Sequence, residues 1–160
     1  MSIKKEIPNI LTLGNLLAGC LGLYFVMQSK LEYAAYMIFI SLVCDFLDGF
    51  LARLLHAYSD IGKELDSLAD VVSFGILPSF ILLNLVEQSC GNQCTIGLFG
   101  FYKPFLVFSL ALMSAYRLAK FNIDTRQSDQ FIGVPTPANG LLVASLPLIL
   151  HYQPAFTPYI

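Results

Sequence analysis

"CDFLDGFLARLLHAYSDIGKELDSLAD", residues 44–70, places four aspartates, Asp45, Asp48, Asp66 and Asp70, in one of the most apolar neighbourhoods of the chain. Asp45, Asp48, Gly49, Ala52 and Arg53 are spaced i, i+3, i+4, i+7 and i+8, so a helix would carry them on one face. Asp66 and Asp70, at i and i+4, share a face of a second helix. The short link "LLHAYSDIG" makes the two helices antiparallel neighbours, and four carboxylates then converge between two helix ends.

Outside this stretch the chain is more apolar still. Of 160 residues, 56% are hydrophobic and 12% charged, with a mean hydropathy of +0.68. That exceeds the apolar content of ordinary soluble domains. Several runs reach the roughly 20 residues that a helix needs to cross a bilayer. The expected fold is an all-α, polytopic membrane bundle of one domain over residues 1–160. Five spans are expected, near residues 10–27, 33–55, 65–86, 97–120 and 137–152. Lys4, Lys5, Arg53, Lys63, Arg117, Lys120 and Arg126 fall on one side of this arrangement, and Lys30 and Lys103 on the other. The positive-inside rule then turns the acidic stretch toward the cytoplasm. A net charge of -2 points away from nucleic acid as a partner. Cys20 and Cys44 read as apolar packers. Cys90 and Cys94 share a loop, where a disulfide and two separate thiols both remain open.

An ionised carboxylate within a bilayer costs a few kcal/mol, and four together also repel one another. Cations remove the difficulty. Carboxylate oxygens are hard ligands suited to Mg²⁺ or Mn²⁺, with Ca²⁺ as an occupant also accommodated. Gly49 and Ala52 leave room for a ligand against the helix, and Arg53 suits phosphate. Together these residues describe a metal–diphosphate site. Plain Asp/Arg ion pairs would explain one aspartate and not four. An intramembrane divalent-cation carrier would explain the acids but not Gly49, Ala52 and Arg53. His56 stands alone in the link and reads as a surface residue, Lys63 as a snorkelling lysine, and Gly62 as the point where the chain turns into the third helix.

Written out, the stretch is Asp45-x2-Asp48-Gly49-x2-Ala52-Arg53-x8-Gly62-x3-Asp66-x3-Asp70. It resembles the complete signature of the CDP-alcohol phosphotransferase family, membrane enzymes that displace CMP from a CDP-linked substrate with an alcohol hydroxyl. "IPNILTLGNLLAGCLGL", "GKELDSLADVVSFGILPS", "YRLAKFN" and "FIGVPTPANG" are similar to the phosphatidylserine synthase branch. The resemblance implies CDP-diacylglycerol and L-serine as substrates, a divalent metal held by Asp45, Asp48, Asp66 and Asp70, and Asp70 as general base. It implies that Asn9, Thr12, Gly49, Ala52, Arg53 and Ser59 bind the CDP-lipid. For Asn9 and Thr12, beside Pro8, helix capping is an alternative. Serine's carboxylate would fall to Arg117, suited to bidentate binding, with Lys120 as a second candidate. The family usually has six spans and five are placed here, so either the sixth helix is absent or the sequence is cut short before it. The family also implies a homodimer. Sister branches that accept glycerol 3-phosphate or inositol phosphate are the competing enzymatic assignment.

Overall fold

The computed structural model describes residues 3–90, 98–123 and 135–153, and within them all regular structure is helical. Helix α1 spans Ile3–Met27 and α2 spans Leu31–Leu54. A long third rod runs through α3 (Asp60–Asp70), a six-residue π-helical segment (Val71–Ile76) and α4 (Leu77–Cys90). Helix α5 is Leu98–Ile123 and α6 is Thr136–Tyr152. Four rods, Glu6–Met27, Leu31–Leu54, Asp60–Ser89 and Pro104–Ile123, are long and apolar enough to cross a membrane. Helix α6 has 17 residues, the lower limit of the spanning range. The chain is an integral, all-α membrane bundle. Cys94, and with it any Cys90–Cys94 pairing, lies outside the described residues.

Both tight hairpins close without glycine. After α1, the Lys30 N–H reaches the Phe25 carbonyl at 3.0 Å and the Ser29 N–H reaches that of Val26 at 2.9 Å, with Ser29 at φ 57°. After α2, the Ala57 N–H bonds to the Ala52 carbonyl at 2.9 Å and the His56 N–H to that of Arg53 at 3.3 Å, with His56 at φ 48°. These are Schellman closures, in which one left-handed residue satisfies the last free carbonyls of the helix. Buried Ala57 then turns the chain into Ser59, which caps α3 by accepting the Gly62 N–H at 3.0 Å. Gly62 is therefore not the turn residue. It lies in the first turn of α3, where an added Cβ would sit 3.0 Å from Asn9 Oδ1 and 2.9 Å from Ser59 Oγ. Its smallness lets α1 and α3 approach closely. The third rod begins five residues before the hydropathy rises, because the capped turns of α3 are amphipathic rather than apolar.

The core is formed where α1, α2, α4 and α6 meet, around Ile38, Phe74, Leu77, Ile81 and Val143. At its centre the π segment meets small residues on three neighbours. A Cβ at Gly19 of α1 would strike Ser73 Oγ and backbone, one at Gly140 of α6 would touch Phe74, and one at Gly75 would press on Ser114 of α5. Small residues at such crossings are how membrane helices gain packing without a hydrophobic drive. Outward faces stay apolar, as with Leu13, Leu17 and Leu21 on α1. Helix α5 is peripheral, with little of its apolar stretch buried.

Candidate active site

The acidic stretch folds as a hairpin of α2 and α3 laid against the start of α1. One ligand oxygen from each of Asp45, Asp48 and Asp66 lies within 4.8 Å of the other two. Asp48 is 6% exposed and accepts a 2.7 Å hydrogen bond from Thr12 Oγ1 at Oδ2. The same hydroxyl lies 3.1 Å from the Pro8 carbonyl. It has one proton to give, and the shorter contact to a carboxylate is the stronger. Asp66 Oδ1 is buried and has no hydrogen-bond partner. An orphaned acceptor beside two further carboxylates is what a hard cation would satisfy. Ligand oxygens on opposite sides of one ion stand about 4 to 5 Å apart, so the trio needs little adjustment to share a divalent metal. These residues fit the metal that the spacing of the acids implied.

Asp70 adds no oxygen to that close trio. It is 7% exposed and its Oδ1 accepts a 3.1 Å bond from Asn15 Nδ2.

Three clefts meet at Asp66. The first, about 530 Å³, lies between α1 and the α2–α3 hairpin and is lined by Asn9, Thr12, Asp48, Gly49, Ala52, Ser59 and Lys63. A second, about 680 Å³, opens beside Asp45, Asp48, Gly49 and Arg53, with Phe46 and Phe50 at its side. The third, about 700 Å³, is lined by Asp70, Lys63, Ser67, Arg117, Asn122 and Thr136. Asp66 borders all three. Gly49 borders the first two, and a Cβ added there would meet nothing within 4 Å. The helix is bare at the point where a ligand can touch it.

All the aspartates and the CDP-lipid residues expected from sequence thus line these clefts. Asn9 and Thr12 are not caps, because α1 begins at Ile3 and carries both in its interior. Asn9 Nδ2 donates to Glu6 at 3.3 Å and still borders the first cleft. Ser59 does both jobs, capping α3 and lining the cleft. Arg117 borders the third cleft and donates through Nη1 to Thr136 Oγ1 at 2.8 Å. Lys120 is exposed on the last turn of α5 and lines none of these three clefts. Lys63 reaches back to the Asn122 carbonyl at 3.0 Å, and Asn122 Nδ2 donates to Ser67 at 2.8 Å. This lysine is a tie between α3 and the end of α5 rather than a free interfacial charge. Sequence reasoning missed Asn15, Asn122 and Thr136. Asn15 was signalled: Asn9, Thr12 and Asn15 recur every three residues along an apolar helix.

The family model for CDP-alcohol phosphatidyltransferase matches residues 5–159. A CDP-diacylglycerol–serine O-phosphatidyltransferase of Bacillus subtilis strain 168 is 35% identical over 143 residues, covering 88% of this chain and 74% of the relative. The enzyme of the same name from Helicobacter pylori strain J99 is 38% identical over 138 residues, 85% of this chain and 54% of its own length. An archaetidylserine synthase of Methanothermobacter thermautotrophicus is 27% identical over 152 residues, 92% of this chain and 60% of its own. This chain therefore spans about half to three quarters of these relatives. No solved structure matches it. With the signature aspartates gathered at one helix hairpin and the match running nearly end to end, the chain belongs to the CDP-alcohol phosphatidyltransferase family.

Proposed function

We propose that this protein transfers the phosphatidyl group of CDP-diacylglycerol to the hydroxyl of L-serine, giving phosphatidylserine and CMP. The observation that carries this reading is the meeting of three clefts at Asp66, with the carboxylate trio between them. A nucleotide, a lipid diphosphate and an alcohol have to meet at one phosphorus. The relatives' names supply serine and the CDP-lipid.

Asp45, Asp48 and Asp66 would hold Mg²⁺ or Mn²⁺. When bound, the metal neutralises the diphosphate and the charge that develops on the departing CMP. Asn9, Thr12, Gly49, Ala52, Arg53 and Ser59 form the CDP-lipid side, with the acyl chains left in the bilayer. Arg117, held by Thr136, offers its guanidinium to the serine carboxylate in the cleft that Asp70 also lines. The serine oxygen attacks the phosphorus that bears the diacylglycerol. The bond from that phosphorus to the bridging oxygen breaks, CMP keeps the electron pair, and Asp70 takes the hydroxyl proton. Its place outside the trio suits it to that role, since a base bound tightly to a cation is weak. The charge pattern supports a site that faces the cytoplasm from the cell membrane, and the family resemblance supports a homodimer.

An acceptor screen tests this. Purified protein with Mg²⁺ or Mn²⁺ should release CMP from CDP-diacylglycerol when L-serine is present. Release with glycerol 3-phosphate or inositol phosphate instead of serine would move the chain to a sister branch. Cation flux in vesicles without nucleotide binding would make it a carrier.

A further inference from the structure

Asn15 is fully buried at mid-helix on the face of α1 that meets the third rod. Its Oδ1 has no partner. An amide in that setting costs stability relative to an apolar residue of similar size. Packing therefore does not explain it. Its one amide contact among the described residues is the Nδ2–H donated to Asp70 Oδ1 at 3.1 Å.

The backbone beneath that amide is pinned from two sides. The Asn15 carbonyl accepts Ser41 Oγ of α2 at 3.2 Å and Ser73 Oγ of the π segment at 3.1 Å. Both serines are fully buried. One turn further along α1, Gly19 allows Ser73 to lie against the helix backbone. Ser73 is three residues beyond Asp70, so the same contacts fix the backbone that carries the carboxylate. One turn back, Thr12 does for Asp48 what Asn15 does for Asp70: it donates to one carboxylate oxygen. Helix α1 thus presents two donors three residues apart, one to an aspartate of α2 and one to an aspartate of α3.

We infer that Asn15 is a positioning residue for the reaction. It holds one oxygen of Asp70 so that the carboxylate keeps a fixed bearing on the cleft shared with Arg117, while Ser41 and Ser73 hold Asn15. This rests on Asp70 acting as base in the reading above.

The test is Asn15→Leu in the full chain, with Asp70→Asn beside it. Loss of alignment at a reacting group costs about 100-fold. Asn15→Leu should lower kcat for serine by roughly 10- to 100-fold, with KM for both substrates within about threefold. Asn15→Ala, which cannot overpack the site, should show the same kcat loss. The double variant should be no slower than Asp70→Asn alone, because Asn15 acts through Asp70. An infrared carboxyl band, assigned to Asp70 by its loss in Asp70→Asn, should shift in Asn15→Leu whatever the activity. An unmoved band, or parental kcat in both Asn15 variants, overturns the inference. So does a kcat loss that comes with lost CDP-lipid binding, which marks plain packing. If Asp70→Asn keeps its turnover, the base assignment itself fails. If Asp70→Asn is dead and Asn15→Leu is fully active, only the inference fails.

Discussion

At the residue scale, Gly49 separates stability from binding. It lies inside α2, where glycine costs about 0.5–1 kcal/mol relative to alanine, and a Cβ there would touch nothing. Gly49→Ala should therefore raise the melting temperature. It should also weaken CDP-lipid binding, because the methyl occupies space shared by two clefts. Thermal unfolding and CDP-lipid titration on the same preparation check both signs; unchanged affinity would mean that the bare helix face serves packing alone. Thr12→Val removes the donor to Asp48 while keeping the shape of the side chain. Loss of such a supporting hydrogen bond typically weakens a metal site by about 10- to 100-fold. The Mg²⁺ concentration that half-activates CMP release should rise accordingly, with little change at saturating metal. Asp70→Asn should nearly abolish turnover yet still bind CDP-lipid, since Asp70 lies outside the carboxylate trio. Joint loss of binding and turnover would make it chiefly a metal ligand.

At the scale of elements, the decisive piece is the π segment that follows Asp70. Gly19 faces its backbone at a distance that leaves no room for a side chain. Gly19→Val should cost about 1–3 kcal/mol as overpacking, and it should lower activity together with the melting temperature. Equal stability in a detergent melt would show that the crossing is looser than the structure has it. This level also divides what could be read from the sequence. The rods were legible because apolar runs of bilayer length have few other uses. The convergence of Asp45, Asp48 and Asp66 was legible from spacing, since helical periodicity dictates a face. The π turn was not, because its packing partners, Gly19, Ser114 and Gly140, lie on three other helices, which no local pattern brings together. Nor were the two hairpin closures, where Ser29 and His56 take a left-handed conformation that sequence rules assign to glycine. Gly62 was misread for the same reason: it looked like the turn, but the turn lies six residues earlier and Gly62 serves the contact between α1 and α3. The tie from Lys63 to Asn122 needed the relative placement of α3 and α5, which no local pattern carries.

For the whole molecule, the same acids that make the site should make the fold metal-dependent. Three carboxylates with oxygens within 4.8 Å of one another repel in the absence of a cation, and one carries a buried oxygen with no partner. Without metal, removing one charge relieves that repulsion, so Asp66→Asn in chelator should melt above the parent. With metal the order should reverse. A ligand that binds only the folded state stabilises it by about 2.7 kcal/mol at one hundred times its dissociation constant, and Asp66→Asn loses an oxygen ligand that borders all three clefts. Melting curves of both proteins in detergent, in chelator and in rising Mg²⁺ or Mn²⁺, should therefore cross. Curves that stay parallel, with the parent higher throughout, would mean that the aspartates hold the helix hairpin together by hydrogen bonding alone, and the cation would have no place between α2 and α3.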